Sequence, residues 1–231
     1  MKVAILSDIH ANIFALQAVI EDLNKESVEK IIVAGDIVGY YYWPREVIEL
    51  IMADSRFICI HGNHENILRD VLACTKAANR YRRKYGSGYD FCQQQLSKEH
   101  LQWLFSLPES ICLDIDGMQF HVSHGTLGDL NEYLYPDAPI NKLLQNYSEC
   151  EFTIFGHTHY PFFHSYNNRF LLNPGSVGQP RDQGGLASYI IINSNNRVLR
   201  FKRKPFNIEP IIHTAYENDP ELGYLTSIMK R

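Results

Sequence analysis

Apolar positions along the chain follow two periods. The runs at 3–6, 31–34 and 57–60 are short and continuous, the signature of buried strands. Between the first two, Leu16, Val19, Ile20 and Leu23 recur at helical spacing, and a second helix is predicted over 46–52. Strand–helix–strand–helix–strand predicts parallel pairing with right-handed crossovers. From 66 to 107 the pattern is mostly helical, broken at Gly86-Ser87-Gly88; Ser97 reads as an N-cap with Glu99 in the first turn, and Pro108 lies beyond the end. Strands then return: 111–114 and 118–122 flank an Asp116-Gly117 turn as a hairpin, and runs at 152–155, 170–172, 187–192 and 198–201 follow. A last short helix is predicted to start near Asp219-Pro220. With no repeat and no linker-like stretch, the expectation is one domain over 1–231, of the α/β (α+β) class: two sheets with helices outside and a mostly helical insert at about 66–107.

Composition narrows the function classes. The chain has 231 residues, 45% apolar and 21% charged, which excludes a disordered chain. Twenty-two Lys and Arg against 26 Asp and Glu leave a net charge of -4, which argues against a broadly basic nucleic-acid coat. A nucleic-acid partner stays open only through a local basic patch. Arg80, Arg82, Arg83 and Lys84 form such a cluster, read first as a solvated face and second as a steering patch for a polyanion. The 5 cysteines are scattered and lack a C-x-x-C, so reduced thiols and a cytoplasmic location are expected. The apolar run near Met1 is too short for a signal peptide, and no run approaches the roughly 20 residues of a membrane span, so no membrane partner is expected.

The chemistry sits just past the ends of the predicted strands, where open α/β sheets bind ligands. Five short elements stand there: Asp8-Ile9-His10, Gly35-Asp36, Gly62-Asn63-His64, His124-Gly125 and Gly156-His157-Thr158-His159. Asp8 with His10, and His157 with His159, lie two residues apart and share one face of an extended segment. The glycines before Asp36, Asn63 and His157 are expected to let the backbone turn sharply. Any one of these histidines alone reads better as a structural residue; their joint placement at strand ends points to metal. A two-metal phosphoester site needs ions roughly 3.5–4 Å apart, and one carboxylate that bridges them. Asp36, on the central element, is the candidate bridge. Two divalent ions with only two carboxylates leave the site positive, which suits an anionic phosphate. Mixed imidazole and oxygen ligands suit Mn, Fe, Co, Ni or Zn better than Ca or Mg.

These blocks, in this order from residue 8 to 159, resemble the calcineurin-like metallophosphoesterase superfamily. Gly35-Asp36-Ile37-Val38-Gly39-Tyr40 and the stretch from Asn173 to Asp182 resemble its compact bacterial and archaeal branch. The resemblance implies a four-layer fold, a two-sheet β-sandwich flanked by helices, with two divalent ions, Mn²⁺ first and Fe, Ni, Co or Zn as alternatives. Asp8, His10, Asp36 and His159 would hold one ion, and Asp36, Asn63, His124 and His157 the other. His64 would face the phosphate as the catalytic proton donor or transition-state stabiliser. Glu65 stands where aspartate is common, and His61 where a basic residue is frequent.

The expected activity is hydrolysis of phosphodiester bonds in small or nucleotide substrates, by in-line attack of a metal-bound hydroxide. A dinucleoside polyphosphate hydrolase or phosphomonoesterase is the alternative, and a non-catalytic scaffold on the same fold a more distant one. Among the other histidines, His61, His121 and His164 read as structural, and His100 and His213 as solvated. The aromatic run from Tyr40 to Trp43 reads as loop packing or a contact in a homo-oligomer, ahead of a nucleobase platform. Tyr133, Tyr135, Tyr160, Phe162 and Phe163 carry the same pair of readings. Arg181 is read either as a phosphate ligand or as the local partner of Asp182.

Overall fold

Strands that are apolar throughout have two faces to bury, and the computed structural model, which describes residues 1–231, buries both. The first half of the chain runs β1 (Lys2–Leu6), α1 (Ile13–Lys25), β2 (Lys30–Ala34), α2 (Pro44–Ala53) and β3 (Phe57–Ile60). Four helices follow: α3 (Asn63–Ala73), α4 (Thr75–Tyr85), α5 (Gly88–Gln95) and α6 (Lys98–Ser106). Next come the hairpin β4 (Ser110–Ile115) and β5 (Met118–Ser123), α7 (Ile140–Gln145) and β6 (Phe152–Ile154). The chain ends with β7 (Pro161–Tyr166), β8 (Arg169–Pro174), β9 (Leu186–Asn193), β10 (Val198–Pro205), α8 (Glu209–Asn218), α9 (Tyr224–Ser227) and a 3₁₀ turn at Ile228–Lys230.

One sheet has the order β10-β9-β1-β2-β3 and the other β4-β5-β6-β8-β7. In the first, β1, β2 and β3 are parallel, as the alternating helices require, and β9 closes antiparallel on β1. In the second, β5, β6 and β8 are parallel between antiparallel edges. Alternate side chains then define the layers. Val3, Ile5, Ile32 and Ala34 meet Phe120, Val122, Phe152 and Ile154 of the opposite sheet. Ala4, Leu6, Ile31 and Val33 turn the other way, beneath Leu16, Val19 and Leu23 of α1 and Val47, Ile48 and Ile51 of α2. The far face of the second sheet is covered thinly, by Leu134 and Leu143 packed with Phe155, Phe162 and Leu171.

Three elements depart from the expectation. β7 was not expected: it is an edge strand opening with a proline, and only Phe162 in it is buried. The six-residue α7 carries a single buried side chain, Leu143, and so has no periodic signal. The last short helix expected near Asp219-Pro220 begins later, as α9 at Tyr224, and the helix before it, α8, was not expected; α8 has Pro210 in its first turn and is capped at its end by Asp219. Pro220 is the stop beyond a helix, not the start of one.

The end of the chain explains the aromatic run. Ile211, Ala215, Leu225, Ile228 and Met229 pack on Tyr40, Tyr41 and Tyr42. Tyr41 and Tyr42 are 0% and 1% exposed, so they are neither a base platform nor a subunit contact. The Tyr42 hydroxyl donates to Asp219 at 2.9 Å. Trp43 lies edge-on to Phe14. No helix is long and apolar enough to cross a membrane.

Candidate metal centre

The carboxyl ends of β1, β2, β3, β5 and β6 come to one edge, and each continues into a sharp turn that carries polar side chains. Asp8, His10, Asp36, His157 and His159 all have left-handed backbones, with φ of 54°, 51°, 54°, 65° and 63°. Such a conformation costs a non-glycine residue on the order of 1 kcal/mol or more. Cross-loop hydrogen bonds hold it in place: Asp8 N–H to Gly35 O (3.1 Å), His10 N–H to Asp36 O (3.0 Å) and Gly178 N–H to Asp8 O (2.9 Å). Glu65 ties two loops together. Its carboxylate accepts from the backbone N–H groups of Gly62 (2.6 Å), Asp36 (3.1 Å), Ile37 (2.8 Å) and Val38 (3.1 Å). Burial and the Asp36 charge push Glu65 up to about 7, against the four N–H groups that favour its ionised form. Of the three turn glycines, only Gly35 has a positive φ, 85°. Gly62 and Gly156 are needed for space instead: a Cβ would lie 2.2 Å from Asp36 Oδ1 and 2.0 Å from Ser7 Oγ, respectively.

The seven expected ligands converge in two corners. In the first, Asp8 Oδ1 lies 3.2 Å from His159 Nε2 and 3.6 Å from His10 Nε2. The two Nε2 atoms are 3.1 Å apart. In the second, His124 Nε2 lies 3.1 Å from Asp36 Oδ2 and 3.0 Å from Asn63 Oδ1. His157 groups with Asp36 and His124 within 4.8 Å. Asp36 Oδ2 is also 3.8 Å from His10 Nε2, so Asp36 stands between the corners.

The hydrogen-bond partners show which atoms are free to hold a cation. His10, His124 and His159 each donate Nδ1–H to a backbone carbonyl, of Val38 (3.1 Å), Ala34 (2.7 Å) and Gln179 (2.7 Å). Each ring therefore turns its Nε2 into the cluster. His157 is reversed: Nε2 meets Asn131 O at 3.1 Å, leaving Nδ1 as the ligand atom. Asp8 Oδ1 is buried and has no hydrogen-bond partner. The Nε2 atoms of His10 and His159 and the Asp8 oxygen thus face one another in a water-poor pocket, an arrangement that a bound cation would relieve. The donor set, imidazole nitrogens with carboxylate and amide oxygens, fits a transition-metal ion.

Charge differs between the corners. Burial opposes ionisation of Asp8, yet His159 and His10 hold its carboxyl well below the usual range. Asp36 is likewise held far down by His124 and His64 against its burial. Burial lowers His159 and His157 to about 4 each. His124 goes the other way: the Asp36 charge overcomes burial and raises it to about 10. A proton there occupies the place that a metal ion would take.

His64 is the second residue of α3, and its backbone N–H donates to Asp36 Oδ1 at 2.8 Å. Its ring is enclosed by Tyr40 (stacked, centroids 4.9 Å), Tyr85 (4.9 Å) and His10 (4.8 Å). Tyr89 Oη is 2.6 Å from its Nδ1. Gly39 leaves room for the ring, since a Cβ there would lie 2.2 Å from Nδ1. Tyr89 sits on α5 in the helical insert and is buried; no motif pointed to it.

The remaining histidines stand away from the cluster's ligand atoms. His61 is buried beside Glu109, and His164 meets the Tyr147 hydroxyl. His213 is exposed, but His100 is only partly so: its Nδ1 accepts from Ser97 N–H in the cap of α6, which corrects the solvated reading. Asp182 pairs with Arg203, not with its neighbour Arg181. Arg181 instead donates to the Tyr40 hydroxyl at 3.3 Å. Within the basic cluster, Arg82 pairs with Asp90, and Arg80 and Lys84 lie over the rings of Tyr81 and Tyr85.

Known proteins share this architecture. Residues 1–197 match the model of the calcineurin-like phosphoesterase superfamily domain. The uncharacterized protein MJ0912 of Methanocaldococcus jannaschii is 35% identical, over 93% of this chain and 90% of its own. The phosphodiesterase MJ0936 of the same organism is 22% identical, over 76% of this chain and 83% of its own. A metallophosphoesterase from Sphaerobacter thermophilus superposes with a TM-score of 0.80 at 31% identity, covering 100% of this chain and 99% of that one. The hypothetical protein PH1004 from Pyrococcus horikoshii gives a TM-score of 0.81 at 22% identity, covering 99% and 97%. With 197 residues under the family model and both sheets superposing on a metallophosphoesterase, the chain belongs to the calcineurin-like phosphoesterase superfamily.

Proposed function

We propose that the protein is a hydrolase of phosphodiesters that works with two divalent ions, Mn²⁺ first among them. The observation that carries this reading is the convergence of unprotonated Nε2 atoms and the partnerless Asp8 Oδ1 on one buried point, next to a second group built on Asp36. Asp8, His10 and His159 would hold one ion, and Asn63, His124 and His157 the other, with Asp36 between them. Bound there, the ions supply neutralisation of phosphate charge and a nucleophilic water at neutral pH.

The chain's own residues do the rest. The carbonyls of Val38, Ala34 and Gln179 orient three imidazoles, so the site needs no rearrangement to bind. Burial and the nearby Asp36 charge raise the Tyr89 phenol well above its usual value, so it keeps its proton; its only hydrogen-bond partner is His64 Nδ1. The phenol must therefore donate, because a buried O–H left without an acceptor is costly. His64 then accepts at Nδ1 and carries its own proton on Nε2, which makes it a hydrogen-bond donor to substrate oxygen and not a metal ligand. Burial lowers its affinity for a second proton, so in this setting it stabilises the leaving oxygen chiefly by donation.

The test is turnover of a chromogenic phosphodiester by protein stripped of metal and reloaded with Mn²⁺. Activity that appears on reloading and is lost in Asp36→Asn supports the proposal; a reloaded protein that is inert, or an Asp36→Asn variant as active as wild type, overturns it. The reading as a dinucleoside polyphosphate hydrolase or phosphomonoesterase is favoured by one specific feature, the Arg181 guanidinium, which makes no ion pair and stands near Asp8 and Tyr40. Such a charge would reward a substrate with more negative charge than a simple diester.

A further inference from the structure

Two cysteines meet on a face of the second sheet that the cluster does not use. In β4, Ile111, Leu113 and Ile115 turn toward the first sheet, so Cys112 and Asp114 point outward. Register carries this outward row across the sheet: Cys112 is paired with His121 of β5, and His121 with Thr153 of β6. Just before β6 the chain crosses the same face. Thr153 Oγ1 accepts from the Ser148 N–H at 3.1 Å and lies 2.8 Å from Ser148 Oγ, which accepts from the Cys150 N–H at 3.2 Å. Thr153 is fully buried, so the turn at 148–150 is pinned over the row that begins at Cys112. Cys112 and Cys150 line one cleft of about 280 Å³, together with Leu113, Asp114, Gln119 and Glu149. Cys112 is exposed and Cys150 partly so. Burial and the neighbouring Cys112 thiol raise Cys150 above the usual thiol range.

Two thiols in one cleft can complete a reaction that a single thiol leaves half done. With a small disulfide as oxidant, the exposed Cys112 thiolate attacks one sulfur of the reagent, whose S–S bond breaks to release one thiolate. The Cys150 thiolate then attacks the Cys112 sulfur of that mixed disulfide and expels the second thiolate. The protein gives up two electrons and two protons, the reagent takes up both as two thiols, and one protein S–S bond replaces the bond that broke. The other cysteines lack this second step. Cys59 and Cys92 are buried, and Cys74 is exposed at the end of α3. Arg169 pairs with Glu149 at 3.5 Å, and Asp114 has no ion-pair partner. No cation lines the cleft, so an uncharged reagent suits it better than an anionic one.

We propose that Cys112 and Cys150 form a redox-active dithiol, a modification site that closes to a disulfide by exchange with a small disulfide. The site is independent of the reaction at the cluster. Closure fastens the edge strand β4 to the turn before β6, across β5. It also shuts into a loop the stretch from 112 to 150, which carries His124 and Asn131. A protein disulfide requires Cα atoms within about 7 Å of each other, so its formation in the folded chain reports the juxtaposition itself.

The experiment treats the reduced, folded protein with a moderate excess of bis(2-hydroxyethyl) disulfide, which is uncharged. After an acid quench, the remaining thiols are alkylated in denaturant and the chain is digested with trypsin for mass spectrometry. The Cys112 and Cys150 peptides are expected to be joined, Cys74 to carry the hydroxyethylthio adduct, and Cys59 and Cys92 to be alkylated. Joined peptides should outnumber those with separate adducts on Cys112 and Cys150 by at least about tenfold, because the second attack is intramolecular. Cys150→Ser should convert the link into a lasting adduct on Cys112, as on Cys74. Neither thiol belongs to the core, so the variant should melt with wild type, and a matching melting curve is the control. Separate lasting adducts on the two cysteines of the wild-type protein overturn the proposal. So does a link that appears only in denaturant, or a Cys112 that stays unmodified while Cys74 reacts.

Discussion

The two corners of the cluster use the same side-chain types and balance their charge in different ways. The first, Asp8 with His10 and His159, has no proton to spare: both imidazoles spend Nδ1–H on carbonyls, burial lowers His159 to about 4, and Asp8 Oδ1 has no partner. The second, Asp36 with Asn63, His124 and His157, can satisfy itself. His124 is raised to about 10, so a proton bridges it to Asp36, while Asp36 Oδ1 is already bonded to His64 N–H. The lesson is that a cation would relieve the first corner directly, whereas an ion entering the second would have to displace a proton.

The strongest way to break this comparison is to remove the carboxylate between the corners. Asp36→Asn is expected to cost at least the roughly 100-fold seen when a residue supporting a metal ligand is lost, in activity on a chromogenic diester. A variant within tenfold of wild type would mean that the corners work separately. Next in size is Tyr89→Phe, which frees His64 to adopt either tautomer. A kcat lower by about 10- to 100-fold for diesters with alkyl leaving groups is expected, with a smaller loss for nitrophenyl esters, which need less help. An equal loss for both would make Tyr89 merely structural.

The pH dependence of metal binding sharpens the contrast directly. His124 is protonated below about 10, so an ion entering the second corner displaces one proton at neutral pH. Its apparent affinity should fall about tenfold for each unit of acidification. In the first corner, His159 takes up a proton only near 4, so that ring adds no pH dependence to affinity there from pH 8 to about 5. Metal content per chain, measured after equilibration across this range, should drop from two ions toward one. Parallel loss of both ions would erase the difference between the corners. The smallest expected effect is on the fold. Glu65→Gln sets an amide N–H₂ against the four N–H groups that the carboxylate now satisfies. A loss of about 1–3 kcal/mol is expected, seen in thermal melting as a shift of about 2–4 °C per kcal/mol.

Much of this was legible in the chain. The apolar runs before Asp8, Asp36 and Asn63 marked parallel strands, and each ligand block follows a strand because that is where the chain leaves the sheet. What was not legible has a common cause. Val38, Ala34, Gln179 and Asn131 act on the site through backbone carbonyls, which every residue has, so no side-chain pattern announces them. Tyr89 lies 25 residues from His64 in a helix that reads like any other. β7 and α8 were missed or misplaced because a lone buried position, or a proline that suits either end of a helix, carries too little periodic information.

The amino-acid sequence alone determined the types of ligand, their order and the strands that bear them, since these depend on local burial and on chemistry that a side chain carries with it. Only the tertiary structure decided which nitrogen of each imidazole faces the cluster, which carboxylate oxygen stays unpaired, and which corner can hold a proton. Those depend on partners 28 residues away for His10 and 90 for His124, and on left-handed turns that the surrounding hydrogen bonds impose. A lone pair points where its ring is held, and the holding is done by distant backbone.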